Sequence, residues 1–144
     1  MSTDVSVETT IERRPEDVAA YVMDPRHDAS WIGALTQVEV LTDGPVGKGT
    51  RVRRVARFLG RSIEYVNEIV EYAPPRRLVT RSVKAPFPMT VMYEFEPAGA
   101  GTRMRITTDG DAGGFYRLAQ PLLDRQVRRG VAADLAGLKR LLER

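Results

Sequence analysis

Hydrophobic and polar positions alternate along most of this chain, then switch to helical spacing near its end. From Leu123 the apolar residues fall at Leu123, Val127, Val131, Leu135, Leu138 and Leu142, with Arg125, Arg128, Arg129, Lys139, Arg140 and Glu143 on the other side. Steps of three and four make this the stripe of an amphipathic helix. Gly113 and Gly114 precede it. Pro121 predicts a kink or restart, with Leu118 and Leu122 off the main stripe. Taken over residues 114–144 the element would run ~40 Å at ~1.5 Å per residue.

Ahead of it, residues 4–11 set Val5, Val7, Thr9 and Ile11 against Ser6, Glu8 and Thr10, the pattern of a half-buried strand. Pro15-Glu16-Asp17 opens a short helix with Val18, Tyr21 and Val22 on its apolar face, and Asp24-Pro25 ends it. Residues 26–33 predict a second short helical turn carrying His27 and the only tryptophan, Trp31. Further strands are predicted over 36–41, 51–59, 62–72, 76–84, 89–96 and 102–108, punctuated by glycine and proline turns.

The pattern therefore predicts an α+β fold: one strand, two short helices, six more strands, one long helix. Short turns make antiparallel pairing the default, and about seven strands twist and curl. One helix cannot fill a strongly curved sheet, so a cavity is expected between them.

Composition narrows the chemistry. The 144 residues, 42% hydrophobic and 28% charged, fit a single domain over 1–144 with a core. There is no cysteine and only one histidine, so thiolate sites, cysteine nucleophiles and histidine clusters are excluded and no metal or cofactor is expected. No glycine loop of the phosphate-cradling kind occurs. No apolar run reaches the ~20 residues of a membrane span, and no hydrophobic leader is visible, so a cytoplasmic protein without integral membrane association is expected. The net charge of +3 is too small to predict a nucleic-acid surface. The arginines at 51, 53, 57, 61, 76, 77, 103 and 105 alternate outward and are expected to pair with glutamates across strands.

Alternation also nominates residues for the cavity. Arg54 shares a face with Val52, Ala56 and Phe58, and an arginine is rarely buried unless paired. It is read as a cation for a ligand carboxylate, enolate or phenolate. A β-bulge that turns it outward, or an ion pair with Glu64 or Glu68, are the alternatives. Tyr65 and Asn67 lie on one face with Ile63 and Ile69, offering a phenol and an amide to a ligand or to each other. Arg81, between Val79 and Val83, is a second candidate cation, although the register of its strand is open. Tyr93 lies between Val91 and Phe95 and is expected inward. Trp31, Phe58, Phe95, Met104 and Gln126 complete the expected wall, with Gly130 and Gly137 giving the helix a small-residue flank. His27 is expected to be exposed. Asp134 is expected to be structural, paired with a strand arginine, with the pocket as the other option.

Several stretches carry a family resemblance. Residues 11–18, IERRPEDV, look like a strand end and helix start; Asp24-Pro25 is followed by Trp31; Gly47-Lys48-Gly49-Thr50-Arg51 forms a glycine turn into a strand; residues 69–78 read IVEYAPPRRL; residues 138–143 read LKRLLE. In this order they resemble the START-like (SRPBCC) superfamily, and within it the bacterial polyketide cyclase/dehydrase-like branch. The resemblance implies a helix-grip fold, a curved antiparallel sheet wrapped on a long C-terminal helix. It also implies a pocket for a hydrophobic or amphipathic small molecule, lipid-like or polycyclic. It assigns no catalytic residue, since the matching motifs are turns, strand ends and helix packing. Three functions follow as expectations: a ligand-binding module, an aromatic polyketide cyclase/dehydrase acting in the same cavity, or an interaction protein with a vestigial cavity. A homodimer is compatible with each.

Overall fold

The computed structural model describes residues 3–58, 60–86, 88–110 and 120–144. Seven strands, β1 (Thr3–Ile11), β2 (Leu35–Val40), β3 (Arg51–Phe58), β4 (Arg61–Ala73), β5 (Arg77–Lys84), β6 (Met89–Ala98) and β7 (Gly101–Gly110), form one antiparallel sheet. Its order is β1-β7-β6-β5-β4-β3-β2. Helix α1 (Pro15–Val22) and a short 3-10 helix (Pro25–Ser30) link β1 to β2, and helix α2 (Gln120–Leu142) closes the chain. This is the expected helix-grip α+β fold.

The connections explain the order. β2 through β7 are a meander, each strand turning back on its predecessor. The two short helices carry the chain from β1, at one edge, to β2 at the other. α1 begins as read from the sequence, with Pro15 in its first turn beside Glu16 and Asp17, where a missing N–H costs nothing and negative charge favours the helix end. The β4–β5 pairing slips register between Val66 and Asn67 and again between Ile69 and Glu71, and such bulges bend a sheet.

α2 is described from Gln120 onward. Pro121 is its second described residue, so the kink or restart expected there falls at the border of the described residues. Its 23 residues span ~35 Å at ~1.5 Å each. The expected helical content of 115–119, Leu118 included, lies outside the described residues. The C-terminal half of α2 is fastened to β1 and its exit: Lys139 Nζ donates to the Thr10 carbonyl at 2.6 Å and Arg13 Nη1 to the Leu142 carbonyl at 2.9 Å. The Glu12 N–H donates to Glu143 Oε2 at 2.8 Å.

The packed core sits under that half. Leu135 and Leu138 belong to one buried cluster with Ile11, Val18, Val22, Met23, Ile69, Leu78, Phe95, Met104 and Ile106. The other half of α2, from Gln126 to Asp134, stands over the sheet without filling the space below it. Helix and sheet therefore make one continuous packed layer at one end and enclose a void at the other.

Candidate functional site

The void is a cavity of about 280 Å³, near the lower end of the ~300–1,000 Å³ usual for small-molecule sites. Each wall follows from strand alternation. β3 contributes Arg54, Ala56 and Phe58; β4 contributes Ile63, Tyr65 and Asn67; β6 contributes Met89, Val91 and Tyr93; β7 contributes Ile106 and Thr108. Trp31, Ile32, Ala34 and Leu35 close one side. Gln126, Val127, Gly130, Val131 and Asp134 of α2 form the roof. Gly130 keeps that roof high, since a Cβ built there meets nothing within 4 Å.

The polar groups gather around Arg54. Its Nη1 donates to Asp28 Oδ2 at 2.6 Å and its Nε to Asn67 Oδ1 at 3.2 Å. Arg54, Asp28 and Asn67 are 7%, 4% and 8% exposed, so all three are withdrawn from water. Behind them a second void of about 10 Å³, lined by Asp28, Arg54, Asn67, Thr80 and Tyr93 among others, has room for about one water. The tyrosines point to the same cluster. Trp31 and Tyr93 meet edge to face with ring centres 6.4 Å apart, while the buried Trp31 Nε1 has no hydrogen-bond partner among the described residues.

Burial sets the protonation of this cluster. It pushes the Asp28 carboxyl up to about 6, against the pull of Arg54. Burial works against the Arg54 charge, but Asp28 and then the two tyrosines hold its pKa above the ordinary value. Burial also raises both phenols, with Arg54 opposing, so Tyr65 and Tyr93 are neutral donors near neutral pH. On the roof, Asp134 Oδ1 accepts from the Gly33 N–H at 3.0 Å. Burial raises its pKa too, and that hydrogen bond offsets part of the rise.

Of the residues nominated from the sequence, Trp31, Arg54, Phe58, Tyr65, Asn67, Tyr93 and Gln126 all border the cavity. Others fall elsewhere. Arg81 is exposed: β5 sets Leu78 opposite Tyr93 and Thr80 opposite Val91 on the cavity face, and on the other face burial stops at Val79. Phe95 and Met104 do point inward, but at the end where α2 presses on the sheet, so they belong to the core and not to the cavity wall. Arg54 is paired, yet with Asp28 and not with Glu64 or Glu68, which lie on the opposite face beside Arg53 and Arg51. Asp134 takes the Gly33 N–H and not a strand arginine. His27 is half-buried: its ring stacks on Tyr21 at 4.3 Å and its Nδ1 lies 2.9 Å from the Tyr21 carbonyl oxygen.

Asp28 is the residue that sequence reasoning missed. It sits in a 3-10 turn, where no apolar period marks the inward face. The available signal was indirect: an inward arginine requires an inward carboxylate. Among the described residues no group of His, Cys, Asp and Glu side chains could hold a metal ion, and no helix is long and apolar enough to cross a membrane.

A family model described as "Polyketide cyclase / dehydrase and lipid transport" matches residues 2–143. No curated protein matches the sequence. Among solved structures, TTHA0849 from Thermus thermophilus superposes with a TM-score of 0.81 at 25% identity, covering 95% of this chain and 94% of its own. The Zhui aromatase/cyclase from Streptomyces sp. R1128 gives 0.81 at 20% identity, with 96% and 92% covered. A START superfamily protein from Mycobacterium smegmatis gives 0.71 at 16% identity, with 97% and 94% covered.

Proposed function

Because the chain belongs to the polyketide cyclase/dehydrase and lipid transport family, we propose that residues 1–144 act as one domain holding a single lipid-like or polycyclic molecule in the cavity under α2. The observation that carries this reading is the cavity itself: largely apolar walls, with Arg54, Tyr65, Asn67 and Tyr93 converging at one end. That is the arrangement by which sites bind through apolar burial and orient through a few polar groups. Removing ~200 Å² of apolar ligand surface from water contributes ~5 kcal/mol before the costs of association.

Filling the cavity tests it. Gly130→Leu places a side chain where a Cβ meets nothing within 4 Å. The wild-type protein binds an apolar fluorescent naphthylamine with one-to-one stoichiometry, and the filled variant does not. Equal binding by both would place the probe outside the cavity and sink the reading.

One observation favours a second reading, catalysis of the cyclase type. Asp134 supplies a carboxylate, its pKa raised by burial, in the wall of the same cavity as Arg54 and Tyr93. A carboxylate of raised pKa is suited to take a proton from a carbon between two ligand carbonyls. The resulting enolate oxygen would be received by the Arg54 and Tyr93 donors. In this reading Asp134→Asn removes turnover of a poly-β-keto thioester while leaving its binding intact. Unchanged turnover would exclude the residue.

A further inference from the structure

Resting on the ligand-binding reading above, we infer that Asp28 sets the charge preference of the cavity: by neutralising Arg54 from behind, it makes the polar end a receptor for neutral oxygen acceptors, such as ketones, esters and phenols, in preference to carboxylates.

The geometry separates two properties that an arginine usually delivers together. Arg54 borders the main cavity, whereas Asp28 borders only the small void behind it. The guanidinium has five N–H donors, and among the described residues the hydrogen bonds to Asp28 and Asn67 use two of them. Donors therefore remain for a ligand, but the positive charge is already matched at 2.6 Å by a carboxylate that is itself 4% exposed.

A ligand carboxylate entering this end must give up its hydration, and the loss is large unless a full counter-charge replaces it. Here it meets an ion pair that is neutral as a unit. Among the described residues, the other ionisable groups bordering the cavity do not restore a cation at the polar end: Arg57 is exposed to solvent, and Asp134 is an acid that cannot carry positive charge. The two phenols, kept neutral by burial, donate to an acceptor without supplying charge. A ketone or ester oxygen takes the same N–H and O–H donors at a much smaller desolvation cost. Asp28 is thus a positioning and charge-setting residue, acting through Arg54 without touching the ligand.

The test uses two probes with one skeleton. A cavity of ~150 Å³ accepts benzene, so one of about 280 Å³ suits two fused rings. Calorimetric titration at pH 8 compares 2-acetonaphthone with 2-naphthoate. The wild-type protein binds the ketone at least tenfold more tightly. Asp28→Asn, which leaves the Arg54 charge unmatched, strengthens naphthoate binding at least tenfold relative to the ketone. Wild-type protein that prefers naphthoate, or binds the two equally, overturns the inference while leaving the ligand-binding reading standing. A wild-type preference for the ketone that Asp28→Asn leaves unchanged overturns the role of Asp28. Failure of both probes to bind removes the ligand-binding reading, and the inference with it. The wild-type comparison needs no substitution, so it decides the matter if Asp28→Asn does not fold.

Discussion

Arg54 on β3 and Asp28 in the 3-10 turn, 26 positions apart in sequence, meet at 2.6 Å with both side chains almost wholly removed from solvent. Removing one partner of such a pair strands a buried charge, which costs ~3–5 kcal/mol, whereas replacing both with apolar residues of similar size is often neutral. Asp28→Ala and Arg54→Ala are therefore each expected to lose ~3–5 kcal/mol in urea denaturation. The double replacement Asp28→Leu with Arg54→Met recovers most of that loss. Additive losses in the double variant would show that the two side chains contribute independently.

The same pair gives the stability a pH dependence of definite sign. The folded-state pKa of Asp28, about 6, lies above its ordinary 3.8. Between those values the folded protein holds a proton that the unfolded chain has released. Its contribution to stability therefore declines as pH rises from about 4 to about 6 and is constant above. The difference in unfolding free energy between wild type and Asp28→Asn, followed by urea denaturation from about pH 3.5 to about pH 8, is expected to fall through that window. A difference that rises with pH would contradict the assignment.

Asp134 ties the roof of the cavity to the loop after the 3-10 helix through the Gly33 N–H. Asp134→Ala removes this bond and is expected to cost ~1 kcal/mol. Asp134→Asn keeps an acceptor oxygen and should stay within ~0.5 kcal/mol of wild type. A large loss in Asp134→Asn would mean that the charge, and not the hydrogen bond, holds the loop.

Two glycines should respond in opposite directions. At Gly101 a Cβ would lie 2.5 Å from the Ile11 carbonyl oxygen, a backbone atom that cannot move aside alone. Gly101→Ala is expected to destabilise by ~1–3 kcal/mol, the usual cost of overpacking. Gly130 lies within α2 with open space around its Cβ position. Gly130→Ala should stabilise by ~0.5–1 kcal/mol by removing a helix-interior glycine. Thermal unfolding of the two variants checks both signs.

Much of this was legible in the sequence, because the sheet is a meander with one covered face. Val52, Arg54, Ala56 and Phe58 declared the inner face of β3, and Ile63, Tyr65, Asn67 and Ile69 that of β4. β5 was ambiguous because neither of its faces is strongly apolar. Its pairing with β4 slips twice, and Arg81 turned out exposed. Alternation names a face but not what stands over it. Phe95 and Met104 share the inner face with Tyr93 and Thr108, yet they belong to the buried cluster that includes Leu135 and Leu138. Asp28 and the sheltered His27 escaped because a short 3-10 turn has no period to read.

The central claim is that the space under α2 is an occupied ligand site. Native mass spectrometry of protein purified from its own host tests it most directly, with extraction and identification of any bound mass. We expect one apolar or amphipathic molecule per chain, present in wild type and absent from Gly130→Leu. A bare wild-type protein whose thermal unfolding does not respond to lipids or polycyclic ketones would contradict the account.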